Sequence, residues 1–114
     1  MNKKNNGLTN ALKQELELFQ RHLVILRMVM THEPVGIRNL SSITGFPMHK
    51  VRYSLSALEE CGLVKSSVKG AVITKKLERA LPRLQEGINR TMTTLMNIRE
   101  NYEMSFNHTL KSVD

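Results

Sequence analysis

The apolar positions of the first third of the chain fall at helical spacing. Leu12, Leu16, Phe19, Leu23, Leu26 and Met30 alternate steps of four and three, which places them on one face of a helix. This spacing predicts a helix from Asn10 to Thr31, with Val24, Ile25 and Val29 widening the apolar stripe. Glu33-Pro34 ends it, because a residue that precedes proline avoids the α region. A helix of about 22 residues is about 33 Å long. A domain of this size does not cover that length, so part of the helix is expected to pack against a partner chain.

Further along, Ile37, Leu40 and Ile43 mark a short helix over Ile37–Thr44, with Gly45 as the cap that takes a left-handed conformation cheaply. Pro47 is expected at the first position of a third helix, where its missing N–H has no partner to lose. That helix runs to Cys61 with Val51, Leu55 and Leu58 facing inward, and Gly62 stops it. Leu63–Ser67 and Ala71–Ile73 read as two strands of a small β-ribbon, joined by a three-residue turn, Val68-Lys69-Gly70, with glycine at a positive φ. Thr74 is the expected N-cap of a last helix. In that helix Leu81, Ile88, Leu95 and Tyr102 recur at sevens, accompanied by Leu84, Thr91, Ile98 and Ser105. Pro82 is expected to kink or break it near its start. The stripe is too long for the domain to cover by itself. Leu84, Ile88, Leu95, Ile98 and Tyr102, with Leu12 and Phe19 of the first helix, are therefore the expected dimer-forming residues. The predicted organisation is a flexible start over residues 1–9, a domain over 10–80, a dimerisation helix over 81–105 and a frayed polar tail over 106–114.

Composition narrows this picture. The chain has 114 residues, one domain's worth, and its 40% hydrophobic content is too high for a disordered segment. Aromatic residues are scarce and Trp is absent, so Leu, Ile, Val and the seven Met are expected to fill the core. The net charge of +7 is unevenly spread: +2 over residues 1–35, +5 over 36–80 and zero over 81–114. Positive charge gathered in the middle third is what a polyanion-binding surface requires. The single cysteine, Cys61, excludes an internal disulfide and is expected to be buried. The apolar run Leu23–Met30 is interrupted by Arg27; it is too short to span a bilayer and too far from the start for a secretion signal. A cytoplasmic protein with no membrane partner is expected.

The order helix, short helix, glycine turn, helix, β-ribbon, helix is that of a winged helix-turn-helix domain, mainly α with a small ribbon and flanked by long terminal helices. The local sequence strengthens the reading. Leu40-Ser41-Ser42-Ile43-Thr44-Gly45-Phe46-Pro47, then Val51, Leu55 and Leu58-Glu59-Glu60-Cys61-Gly62-Leu63-Val64, resembles the core of the winged helix-turn-helix transcriptional regulators. Glu33-Pro34-Val35-Gly36-Ile37 and His49-Lys50-Val51-Arg52-Tyr53-Ser54-Leu55 resemble in particular a group of small predicted archaeal regulators. The resemblance covers residues 20–80. It implies a sequence-specific regulator that binds double-stranded DNA as a homodimer.

In such a fold the second of the paired helices enters the major groove. With Val51, Leu55 and Leu58 inward, the opposite face carries Met48, His49, Arg52, Tyr53 and Ser56, with Lys50 at its edge. Arg52 is the residue expected to read guanine; His49 and Lys50 suit a base edge or a phosphate, and Tyr53 and Ser56 offer hydroxyls. On the ribbon, Lys65, Ser66 and Lys69 are expected to lie along the DNA backbone, and Arg38, Lys75, Lys76 and Arg79 are further candidates for phosphate.

Other chemistry finds little support in the residues. His22, His32, His49 and His108 have no ligand spacing with each other or with Cys61, and no phosphate loop or nucleophile motif is present, so neither a cofactor, a metal nor catalysis is expected. Two alternatives to a regulator are a winged-helix protein–protein module and a sequence-indifferent architectural DNA binder. Which effector ligand, if any, the protein binds is left open by the sequence.

Overall fold

The computed structural model describes residues 7–103 of the chain. Residues 1–6, Ser105 and the expected tail at 106–114 lie outside the described residues. The protein is mainly helical with one small antiparallel sheet: α1 (Gly7–His32), α2 (Ile37–Thr44), α3 (Met48–Glu60), β1 (Val64–Ser67), β2 (Gly70–Ile73) and α4 (Lys76–Ile98), followed by a π-helical turn over Arg99–Glu103. The described chain divides after Leu77 into two compact units.

The first unit is built around an aliphatic core of Ile25, Leu26 and Val29 from α1, Val35, Leu40 from α2, Val51 and Leu58 from α3, Val64 from β1 and Leu77. On α1 this differs from the expected stripe. Leu26 alone of that stripe is buried, with Ile25 and Val29 beside it, whereas Leu12, Leu16, Phe19 and Met30 are exposed. The core meets only the last turns of the helix, and there it touches the face centred on Ile25 and Val29. The methionines also depart from expectation. Met28 is half-buried against the core, but Met30, Met48, Met92 and Met96 are exposed. The branched aliphatic residues fill the small core without them.

The turn between α2 and α3 is closed by its own polar side chains. Gly45 takes the left-handed conformation (φ 80°, ψ −2°), and its N–H donates to the Ser41 carbonyl. Ser41 Oγ donates to the Phe46 carbonyl (2.6 Å), Thr44 Oγ1 donates to the Leu40 carbonyl (2.7 Å), and the Phe46 N–H donates to Thr44 Oγ1 (3.2 Å). Pro47 stands one position earlier than expected, as the N-cap of α3, with its carbonyl accepting from Lys50 and Val51. At the other end of α3 the Leu63 N–H donates to the Leu58 carbonyl and the Gly62 N–H to the Glu59 carbonyl, with Gly62 at φ 78°. This paired closure satisfies the last carbonyls of the helix. Cys61, expected to be buried, is exposed, because it is the C-cap at which the chain leaves the helix.

β1 and β2 pair from Val64↔Ile73 to Ser67↔Gly70, so the loop is the two-residue Val68-Lys69 and Gly70 belongs to the ladder. The positive φ still falls on Gly70, at 132°. Its lack of a side chain has a second use. Val35 pairs with Ala71 through two backbone hydrogen bonds (3.1 and 2.8 Å), and a Cβ on Gly70 would lie 2.6 Å from the Val35 carbonyl carbon. The Ile73 N–H donates to Glu33 Oε1 (3.1 Å). The hairpin is thus tied to the segment that follows α1. Thr74 does not cap α4 with its side chain; its hydroxyl donates instead to the Gly62 carbonyl (2.5 Å) and closes the base of the hairpin.

In the second unit, α4 continues through Pro82, so the helix is not broken there. One missing N–H early in a helix of 23 residues leaves the remaining ladder to hold it. Leu81, Leu95, Ile98 and Tyr102 of its stripe are exposed and Leu84 and Ile88 half-buried. Thr91, on the same stripe, donates its hydroxyl to the Gly87 carbonyl (2.9 Å). An ion pair joins Glu86 and Arg90 across one turn (3.7 Å). Among the described residues no helix is long and apolar enough to cross a membrane.

Candidate nucleic-acid interface

The outer face of α3 is set by what its inner face buries. Val51, Ser54 and Leu58 are buried, whereas Leu55 is half-buried, so the helix is turned toward Ser54 relative to the expected Val51–Leu55–Leu58 face. Met48, His49, Lys50, Arg52, Tyr53 and Ser56 are all exposed, and the two cations among them form no ion pair with any described residue. The face changes sign along its length, since the last turn ends in exposed Glu59 and Glu60.

The hairpin adds Lys65 and Lys69, both exposed and unpaired among the described residues, around the fully exposed Val68 at its tip. Ser66 is already engaged: its hydroxyl donates to Glu59 Oε2 (3.3 Å), which joins the hairpin to the end of α3. The expected phosphate contact of Ser66 thus competes with a contact that holds the hairpin in place. Arg38 on α2 and Lys75 and Lys76 are exposed in the same unit; Arg79 is exposed in the second unit.

Behind α3 lies a polar junction with α1 that the sequence reading does not include. Ser54 is fully buried; Arg21 Nε donates to its Oγ (3.2 Å), and His22 Nδ1 lies 2.8 Å from the same oxygen. One arrangement satisfies all three groups. The hydroxyl accepts from Arg21 and donates to an unprotonated His22 Nδ1. Burial, and secondarily the neighbouring Arg21 charge, lower the His22 pKa below 6.5, in keeping with that neutral ring. The His22 ring also stacks on Tyr53, with centroids 6.1 Å apart and planes at 28°. A side chain of the outer face is therefore positioned from α1. A signal for this exists in the sequence: Ser54 sits three residues after Val51 and four before Leu58, on the inward stripe, where a polar residue needs partners.

Among the described residues no three His, Cys, Asp or Glu side chains are grouped so that they could hold a metal ion. No family model and no curated protein matches the chain. A solved structure of a protein with unknown function from Listeria innocua Clip11262 has a similar fold, with a TM-score of 0.51 and 16% identity. The match covers 96% of this chain and 88% of that one. At that identity the likeness is one of fold alone.

Proposed function

We propose that the first unit is a winged helix-turn-helix domain and that the protein is a transcription regulator, not an enzyme, that binds double-stranded DNA as a homodimer. α3 enters the major groove, and the β1–β2 hairpin is the wing that lies on the backbone. The observation that carries this reading is the set of four exposed cations without ionic partners, Lys50 and Arg52 on α3 with Lys65 and Lys69 on the hairpin, in one compact unit. Arg52 reads a base edge, Lys50 and His49 flank it, Tyr53 and Ser56 supply hydroxyls, and Met48 offers an apolar contact.

The dimer is formed by the apolar stripe of α4, the half-buried Leu84 and Ile88 with the exposed Leu95, Ile98 and Tyr102, together with Leu12 and Phe19 of α1. Burial of several half-exposed aliphatic side chains from each copy favours association. Two α3 helices related by a twofold axis then require a near-palindromic site with half-sites about one helical turn, or a multiple, apart.

Selection from a random duplex library at two salt concentrations tests the proposal. Enrichment of a twofold motif, with affinity falling at a slope of about −5 to −7 against log salt, is the expected result if each copy neutralises three or four phosphates. Salt-sensitive binding without enrichment would instead make the protein an architectural binder. The exposed Glu59–Glu60 end of α3 favours a second reading, a protein–protein module, and absence of binding at low salt would select it.

A further inference from the structure

A groove of about 570 Å³ runs between the middle of α1 and the start of α3, inside the first unit. That volume suits a small organic molecule. Leu18, Val24 and Phe46, each half-buried, supply an apolar lining, and Arg21, Lys50 and Glu17 supply charge. The state of Arg21 is the informative part. Its Nε is spent on the buried Ser54 hydroxyl, which fixes the guanidinium, while its two terminal NH₂ groups have no partner among the described residues. A half-buried guanidinium held by one nitrogen and open at the other two is a preorganised fork for a carboxylate. Lys50 is also without an ion pair, and Glu17, although in the same groove, pairs with neither cation. Two positive charges and one negative leave a net +1, which matches a single negative charge better than a dianion.

We propose that this groove binds a small amphiphilic monocarboxylate, its carboxylate held by Arg21 and Lys50 and its apolar body lying on Leu18, Val24 and Phe46. A bare anion makes no use of the apolar lining, and a neutral apolar molecule leaves the guanidinium unpaired.

The test is a titration of the ¹⁵N-labelled full chain, without DNA, followed by amide chemical shifts. The probes are octanoate, its neutral analogue octanol, and inorganic phosphate. Octanoate is expected to shift the amides of Leu18, Arg21, Val24 and Phe46 and to bind about tenfold more tightly than octanol, as a charged hydrogen bond adds. Lys50→Met, an exposed substitution, weakens octanoate about two- to fivefold, and Glu17→Gln tightens it by a similar factor. Three results would each overturn the proposal: no shifts at these residues at millimolar octanoate, octanol binding as well as octanoate, or phosphate binding as well as octanoate. Because DNA is absent, failure here and failure of the DNA reading are separate results.

Discussion

At Ser54 a small polar side chain is enclosed where α3 meets α1, and its one hydroxyl serves both Arg21 and His22. The arrangement needs a neutral imidazole, since a protonated Nδ1 donates and leaves the serine hydrogen without an acceptor. The folded His22 pKa lies below its unfolded value, so the junction's contribution is fully present above pH 6.5 and is lost as pH falls through the depressed folded value. Thermal melts taken downward from pH 7 should therefore show a falling Tm, and His22→Gln should flatten the part of that slope that lies just below pH 6.5. A slope unchanged in the variant would contradict the assignment. On the outer face of the same helix, Arg52→Ala should cost about 1–3 kcal/mol of discrimination at one base position. Lys69→Ala should weaken all sequences about equally and reduce the salt slope by about one. Equal loss of specific and non-specific binding in Arg52→Ala would remove its reading role.

Among the elements, the hairpin depends most on one residue. Gly70 combines φ 132° with a backbone neighbour that leaves no room for a Cβ. Gly70→Ala should destabilise the first unit by about 2–4 kcal/mol, measured by denaturant unfolding, because strain and clash add. An effect below about 1 kcal/mol would mean that Val35 yields easily. Gly70 also illustrates what the sequence discloses. The strands and the need for a positive φ there are legible from local chemistry, but the close approach of Val35 joins residues far apart in the chain. The same division holds elsewhere. α2 and its Gly45 cap are local and fall where expected, as does the course of α3 to within a residue at each end. The buried face of α1 depends on which part of a long amphipathic helix the rest of the unit reaches, and the apolar spacing alone selects a different face. The six expected positions on α3 are exposed because a helical period determines them once Val51 and Leu58 point inward. Arg21, His22 and the Ser66–Glu59 contact are tertiary and leave only the faint sign of a serine on an apolar stripe.

For the molecule as a whole, the proposed dimer draws on the apolar stripe of α4, with Leu81 and Leu95 each 38% exposed and Ile98 48%. If that stripe joins two copies, light scattering coupled to gel filtration should give a dimer. Leu95→Glu should then give a monomer, with dissociation at least about tenfold easier, since each copy loses an apolar contact worth about 1.5–3 kcal/mol. A monomeric native chain would remove the twofold symmetry expected of its DNA site. The proposed function requires that α3 and the hairpin tip together face DNA. Titrating the ¹⁵N-labelled chain with a duplex of about two helical turns at low salt tests it most directly. The amides of His49, Lys50, Arg52, Ser56, Lys65 and Lys69 should shift together, and the shifts should collapse as salt is raised. Shifts confined to other surfaces, or none at a DNA excess, would contradict it.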